Sequence, residues 1–186
     1  MKVLVIDNYD SFIYNVIHIL KELGIETVDV VKNDKVDLSQ IDRYDKIILS
    51  PGPGIPSEAG KLMEVIAHVA AHKDILGICL GHQALGEYYG HQLKCLETPL
   101  HGISFPIILA ERDTLFDDVP DRSPIAHYHS WVIEENDSPL AVTAYDDQQN
   151  IMAIKHRTLN IRGVQFHPES ILTTYGKEII KNWIKN

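Results

Sequence analysis

The first half of the chain alternates short apolar runs with segments of helical periodicity, and this alternation constrains the fold most. Apolar residues recur at helical spacing from Ser11 to Leu23, where Asp10 or Ser11 can cap the helix and Gly24 can end it, and a second helix is predicted from Glu58 to His72. The runs typical of strands are "KVLVI" (2–6), "IETVDVV" (25–31), "KIILS" (46–50) and "DILGIC" (74–79). Strands separated by helices in this way predict a parallel sheet with crossover helices.

The second half has a different pattern. From His91 to Tyr145, short β-like segments and turn residues replace helical periodicity, which predicts antiparallel strands added to the sheet or lying over its edge. "LNIRGVQF" (159–166) is typical of a return to the central sheet, and residues 175–184 predict a final helix. We therefore expect one α/β domain over residues 1–186: a mostly parallel central sheet flanked by helices, with an antiparallel β region.

Composition and charge exclude several classes of protein. The 186 residues are enough for one domain, and 17 basic against 26 acidic residues give a net charge of −9, which argues against a nucleic-acid surface. The apolar start "MKVLVI" is too short for a signal peptide, and no run reaches the roughly 20 apolar residues of a membrane span. The only cysteines, Cys79 and Cys95, lack metal-type spacing, and Cys95 is expected to be a small buried residue. These features predict a cytoplasmic protein with neither nucleic acid nor membrane as a partner.

Four polar or glycine-rich stretches follow predicted strands. They are "DNYDS" (7–11), "PGPG" (51–54), Cys79 and "HPES" (167–170). In open α/β sheets ligands bind beyond the carboxyl ends of the strands, so these stretches predict one shared site.

Cys79 lies at a strand-to-helix junction between Gly77 and Gly81. This pattern resembles a nucleophile elbow, in which flanking glycines allow a sharp turn and the following helix N-terminus favours a thiolate. The N–H of Leu80 would then point toward a developing oxyanion. The alternative is a small buried hydrophobic residue, and Cys79 alone does not decide between the two.

A base for the thiol and a second oxyanion donor can be nominated from the other stretches. In "FHPES", Glu169 follows His167 by two positions, so both would face the same way in an extended segment. In "SPGPGIP", Gly52 or Gly54 could bring a backbone N–H close to a substrate. The alternatives are a surface His–Glu pair and a rigid turn after a strand.

The remaining histidines and aromatic residues give weaker signals. His68 and His72 lie four apart on a predicted helix and His127 and His129 alternate, yet neither pair has an obvious third ligand, so no metal site is predicted. The aromatic residues Phe12, Tyr14, Tyr88 and Tyr89 are assigned to the core or to an interface.

Taken together, these motifs resemble a known family. "GICLGHQ" followed by "GVQFHPES" resembles the class I, triad-type glutamine amidotransferases. The opening "VLVIDNYDSFIYN", with "LSPGPGIP", "YHSW" and "HPESILT", is similar to the small amidotransferase subunits of anthranilate and aminodeoxychorismate synthases. The similarity runs from Val3 to Trp183, and it implies a flavodoxin-like class I amidotransferase fold.

The resemblance implies a role for each site residue. Cys79 would attack the side-chain amide of glutamine to form a γ-glutamyl thioester, with His167 as the base and Glu169 as its partner. Leu80 and Gly54 would donate N–H groups to the oxyanion. The residues implied to hold glutamine are Gly52, Gly54, Gln83, Ser130 and Trp131.

The resemblance also implies a partner. Ammonia released at neutral pH would be protonated in bulk water, so it must pass directly to a second active site, that of a chorismate-binding synthase subunit carrying Mg²⁺. The product would be anthranilate, for tryptophan synthesis, or 4-amino-4-deoxychorismate, for folate synthesis, and this chain would itself need no cofactor. "DNYDSF" (7–12) is a candidate part of the interface, and it can also be a capped helix start.

Two departures and three alternatives stay open at this point. Where the family often has lysine and arginine, this chain has Ile103 and His127, which puts partner contacts or regulation in doubt. The alternatives are an amidotransferase feeding GMP or carbamoyl phosphate synthesis, a non-catalytic regulatory subunit, and a thiol peptidase.

Overall fold

The computed structural model describes all 186 residues, and a central eight-stranded sheet organises them. Five strands are mutually parallel: β1 (Lys2–Asp7), β2 (Thr27–Lys32), β3 (Lys46–Leu49), β4 (Asp74–Ile78) and β10 (Ile161–Val164). The helices are α1 (Ile13–Glu22), α2 (Leu62–Val69), α3 (Leu80–Tyr88) and α4 (Gly176–Lys185). Three 3₁₀ segments cover Leu38–Arg43, Pro56–Glu58 and Thr114–Phe116.

Alternate residues of the buried strands supply two separate apolar layers. On β1, Val3 and Val5 pack into the layer that includes α1 and α4, whereas Leu4 and Ile6 pack into the layer that includes α2 and α3. Because both faces of the sheet are covered, the parallel strands consist of near-continuous apolar residues, as the sequence pattern indicated. The predicted α/β class, mostly parallel with an antiparallel addition, is confirmed. The single domain over residues 1–186 stays a prediction.

The antiparallel region takes both of the forms left open by the sequence. Strands β6 (Ile108–Leu109), β8 (Leu140–Tyr145) and β9 (Ile151–His156) extend the central sheet, in the order β2-β1-β3-β4-β10-β9-β8-β6. Strands β5 (Leu93–Pro106) and β7 (Pro124–Ile133) form a separate two-stranded sheet.

Two local expectations about helix ends need correction. The predicted helix over residues 58–72 covers only Leu62–Val69: a 3₁₀ segment and a turn at Gly60, where φ is +54°, precede it, and His72 lies in the turn after it. Neither Asp10 nor Ser11 caps α1, because the Asp10 carboxylate accepts the N–H of Phe12, which itself occupies the N-cap position. Gly24 does end the helix, with φ of +84°.

Cys95 is exposed, so its assignment as a buried residue is wrong. It lies on β5, opposite Trp131, in a sheet of only two strands. Such a strand has one partner and turns part of its length to solvent, unlike the inner strands of the central sheet.

The strand order brings four predicted site segments to one edge of the molecule. Strands β1, β3, β4 and β10 are neighbours and parallel, so the segments that follow them leave the sheet side by side. Elsewhere in the fold, none of the helices is long and apolar enough to cross a membrane.

Candidate active site

Cys79 occupies a strained turn between β4 and α3. Its φ of 50° and ψ of −101° lie in a region that residues with a side chain rarely adopt, and such strain is typical of functional positions. The N–H of Cys79 donates to the carbonyl of Val164 on β10, at 2.8 Å, which ties the turn to the neighbouring strand. The side chain is nearly buried, with only 5% of the residue exposed.

The glycines on either side of Cys79 are required by close packing. A Cβ on Gly77 would lie 2.5 Å from the carbonyl oxygen of Gly81, and a Cβ on Gly81 would overlap the Leu49 carbonyl. The chain therefore folds tightly over the ends of β3 and β4, as the elbow pattern predicted. Leu80 begins α3, so its N–H has no acceptor one turn earlier in the helix and can serve a ligand instead.

The glycine loop after β3 is held beside the elbow by Asn8, from the segment after β1. The Asn8 N–H donates to Ser50 Oγ at 2.9 Å, and its side-chain amide donates to the Ser50 carbonyl at 2.8 Å. A Cβ on Gly52 would lie 2.6 Å from the Asn8 carbonyl oxygen, so only glycine fits there. Gly54 has φ of +74°, which also favours glycine. The "DNYDSF" segment thus braces the loop that lines the cavity.

His167 and Glu169 form a buried pair after β10. The His167 Nδ1 lies 2.6 Å from Glu169 Oε1, with both side chains almost completely buried. The predicted extended segment from His167 to Glu169 is not observed, because residues 168–170 form a turn. A carboxylate accepts from the Nδ1–H, so Nε2 is left as the nitrogen that can take a proton from Cys79, and Nε2 has no other hydrogen-bond partner.

The surrounding chain fixes the orientation of this pair. The His167 N–H donates to the Ala126 carbonyl on β7 at 3.1 Å, and Thr173 Oγ1 donates to the His167 carbonyl at 2.6 Å. A Cβ on Gly176 would overlap the Pro168 carbonyl, so the start of α4 packs directly against the turn.

The electrostatics of the pair favour an imidazolium. Burial alone would lower the pKa of His167, but its interactions with the Cys79 thiol, and then with Glu169, outweigh burial and raise that pKa well above its usual value. A histidine with a raised pKa supplies the charged partner that a thiol nucleophile needs.

Two cavities meet at Cys79. One, of about 200 Å³, is lined by all five residues predicted to hold a substrate: Gly52, Gly54, Gln83, Ser130 and Trp131. The other, of about 330 Å³, lies on the His167 side, among the residues of the "DNYDSF" segment. Tyr128, Gly52, Pro53 and Cys79 line both cavities and therefore lie between them.

Ser130 and Trp131 contribute to the first cavity in different ways. Ser130 lines the cavity and falls in the irregularity between the cross-strand pairs Cys95–Trp131 and Leu100–His129, outside the regular ladder. The Trp131 carbonyl already accepts from Gln83 Nε2, at 3.0 Å, and from His129 Nδ1, at 3.1 Å.

The structure adds residues to the site to which the sequence assigned no role there. Gln165 is completely buried and its amide nitrogen lies 3.6 Å from Cys79 Sγ. Phe12 and Tyr128 pack against the His167 ring, with centroid distances of 6.1 and 5.1 Å. A signal for Gln165 was present in "QFH", where it precedes His167 by two positions, the same spacing used to pair His167 with Glu169.

The two departures from the family pattern are partners in the structure. Ile103 on β5 pairs directly with His127 on β7. Burial lowers the pKa of His127, so this pair of positions carries no fixed cation at neutral pH.

The histidine pairs considered as metal ligands differ in environment. His68 and His72 lie on the far side of the sheet from α1, and His72 contacts Asp42 at 2.9 Å. The His127 and His129 rings hydrogen-bond to each other at 3.1 Å. No group of three or more His, Cys, Asp or Glu side chains is arranged to hold a metal ion.

A thiol in a strained elbow, a buried His–Glu pair and a glycine loop lie together at one edge of an α/β sheet, an arrangement typical of enzymes that use a thiol nucleophile. The chain belongs to the class I glutamine amidotransferase family, which it matches over residues 4–186.

More specific similarity is to component 2 proteins. The chain is 43% identical to anthranilate synthase component 2 of Pseudomonas putida, over all of this chain and 97% of that protein. It is 41% identical to the aminodeoxychorismate/anthranilate synthase component 2 of Bacillus subtilis, over 98% and 95% of the two chains. Among solved structures, a Thermoplasma acidophilum protein described as belonging to a GMP synthase superposes with a TM-score of 0.90 and 28% identity, over all of this chain and 92% of the other.

Proposed function

We propose that this protein hydrolyses L-glutamine and supplies the ammonia to a chorismate-using synthase subunit. The observation that carries the proposal is the meeting of Cys79, the His167–Glu169 pair and a cavity of about 200 Å³ at one sheet edge. The cavity is small, which suits an amino acid better than a peptide.

In the first half-reaction, Cys79 Sγ attacks the side-chain carbonyl carbon of glutamine. The oxyanion accepts hydrogen bonds from the N–H groups of Leu80 and Gly54. His167 donates its Nε2 proton to the amide nitrogen of glutamine, and the C–N bond breaks. Ammonia departs, and a γ-glutamyl thioester remains on Cys79.

In the second half-reaction, water attacks the thioester. His167 takes one proton from the water, and the C–S bond breaks, which restores the thiolate and imidazolium. The other water proton stays on the new carboxyl group, which loses it to solvent to give glutamate. Glu169 holds the Nδ1–H throughout, which keeps Nε2 directed at the reacting atoms. This mechanism uses no metal or cofactor of this chain; the Mg²⁺ belongs to the synthase subunit.

The similarity to component 2 proteins supports a component I partner, which makes anthranilate or 4-amino-4-deoxychorismate from chorismate and ammonia. The cavity on the His167 side opens among Tyr9, Asp10 and Phe12, and we assign the docking of the synthase to this face. We place the complex in the cytoplasm.

The test combines the chain with component I of a synthase, and it measures product from chorismate with either glutamine or an ammonium salt. The Cys79→Ala variant should lose glutamine-dependent product by at least about 1,000-fold and keep ammonium-dependent product. A γ-glutamyl adduct on wild-type Cys79 should be detected by mass spectrometry. Glutamine-dependent product from the Cys79→Ala complex would refute the proposal.

A second candidate is an amidotransferase that supplies a GMP synthetase, which the superposition on the Thermoplasma acidophilum protein favours. Glutamine-dependent GMP formation on mixing with an ATP-using synthetase, without product from chorismate and component I, would establish it. The higher identity to component 2 proteins makes it the weaker candidate.

A further inference from the structure

Three side-chain and backbone groups connect the glutamine cavity to the sulfur of Cys79. Gln83 Nε2 lies 3.0 Å from the Trp131 carbonyl oxygen and 3.2 Å from Gln165 Oε1. Gln165 Nε2 in turn lies 3.6 Å from Cys79 Sγ. Gln83 is almost fully buried and Gln165 completely so, so the series is shielded from water.

The Trp131 carbonyl fixes the direction of every hydrogen bond in this series. A carbonyl oxygen only accepts, so Gln83 must present its NH₂ group to it. The second hydrogen of that NH₂ then meets Gln165, which must present its oxygen. Gln165 therefore has its own NH₂ group left to face Cys79 Sγ. The orientation of the Gln165 amide therefore follows from the Trp131 backbone carbonyl, whose oxygen and nitrogen cannot be interchanged as those of a side-chain amide can.

We propose that Gln165 is a thiolate-stabilising residue of the glutaminase reaction, with its amide N–H donated to Cys79 Sγ. A hydrogen bond from a buried donor favours the charged form of its acceptor, so Gln165 lowers the pH at which the sulfur becomes a nucleophile. This inference rests on the proposed role of Cys79 as the nucleophile.

Gln165 differs from His167 in what it can do. His167 exchanges a proton with the sulfur, whereas an amide does not titrate and donates at every working pH. The series also reaches the substrate cavity, which Gln83 lines, so a ligand that moves Gln83 would act on the thiolate. The titratable groups that line the two cavities with Cys79 are His167, Asp10, Tyr9, Tyr128, His101 and His129.

The experiment measures the alkylation rate of Cys79 by iodoacetamide between pH 5 and pH 10. A Cys95→Ser background is required because Cys95 is an exposed thiol. In Gln165→Met, which removes the donor at similar volume, the pH midpoint should rise by about one unit. Gln165→Glu keeps an acceptor for Gln83 and replaces the donor, so its midpoint should rise as well. The control is Gln40→Met, an exposed glutamine on the Leu38–Arg43 segment, which should leave the midpoint unchanged.

Glutaminase assays with component I separate this inference from the proposed function. The Gln165 variants should lose kcat at least about 10-fold at pH 7, and regain part of it at higher pH as the thiol ionises. Folded Gln165 variants with the wild-type alkylation midpoint would overturn the inference, even if the wild type hydrolyses glutamine. A wild-type chain without glutaminase activity would instead overturn the proposed function.

Discussion

Two pairs of opposite charge, a partly exposed pair and a buried pair at opposite edges of the sheet, differ in the partners that their atoms have. At the amino ends of β3 and β4, Lys46 Nζ contacts Asp74 at 2.7 Å and the Trp183 carbonyl at 3.2 Å, and lies 5.2 Å from the Trp183 ring centroid. At the carboxyl edge, His167 and Glu169 satisfy each other, yet His167 Nε2 and Glu169 Oε2 have no other partner.

The difference distinguishes a pair that stabilises the fold from a pair that is available for a reaction. The hydrogen bonds of Lys46 all go to groups of the protein, so its pair contributes to folding, and no step of the proposed mechanism uses it. A group left open in a buried site costs stability, and it is retained where a reacting atom will complete it. Substitutions that break each pair in turn test this difference.

Breaking the carboxyl-edge pair should give the largest effect. Glu169→Gln removes the charge that holds His167, so kcat for glutamine should fall at least about 100-fold while KM changes little. Steady-state kinetics with component I measures this. Glu178→Gln, on α4, is the control and should keep wild-type kcat. Retained kcat in Glu169→Gln would show that the pair is structural.

Breaking the amino-edge pair should affect folding alone. Lys46→Met leaves Asp74 without its cation, and because Asp74 is partly exposed we expect a loss of about 2 kcal/mol in the free energy of unfolding. Urea denaturation measures the loss. Glutaminase activity of the folded variant should match the wild type, and a loss of kcat comparable to that of Glu169→Gln would contradict the comparison.

His82 shows the cost of an open buried group that the mechanism does not use. It lies on α3 and is fully buried, with neither ring nitrogen hydrogen-bonded to a side chain or backbone acceptor. Burial lowers the pKa of His82 to about 3. Below pH 6.5 the unfolded chain binds a proton at His82 that the folded chain does not, so stability falls as the pH falls toward 3.

The corresponding variant is His82→Leu, which cannot titrate. On going from pH 6.5 to pH 5.5, the wild type should lose up to about 1 kcal/mol more of its unfolding free energy than this variant. Urea denaturation at the two pH values measures the difference. Equal acid sensitivity of the two proteins would show that His82 is not the group responsible.

The smallest effect concerns the backbone of the elbow. At most buried positions glycine is less stable than alanine by about 0.5–1 kcal/mol. At Cys79 the φ of 50° reverses this order, so Cys79→Gly should be more stable than Cys79→Ala by about 1 kcal/mol. Thermal or urea unfolding of these two inactive variants measures the strain. The usual order, with alanine more stable, would mean that the turn is unstrained.

The sequence predicted the strands well because their apolar runs are buried on both faces, as for Ile47 and Ile48 on β3. It predicted the elbow because Gly77 and Gly81 mark a turn in which no Cβ fits. The prediction that Cys95 is buried was wrong, because the local sequence of a strand in an exposed two-stranded sheet does not differ from that of a strand in a covered sheet.

Partners distant in sequence could not be predicted from local patterns. Asn8 bracing Ser50, across 42 positions, and Gln165 facing Cys79, across 86, depend on which strands are neighbours. The hydrogen bonds of an amide side chain leave no periodicity in the sequence.

The sequence by itself determined most helices and strands, the family, and the choice of Cys79, His167 and Glu169 as candidate site residues, because apolar periodicity and turn glycines are local properties. Only the tertiary structure decided how these residues meet. Strand order places β10 beside β4, so the His167 turn lies beside Cys79, and packing fixes the direction of the hydrogen bonds from Trp131 to the sulfur. Contacts between distant segments are set by the closing of the sheet and its two apolar layers, which no stretch of the chain specifies alone.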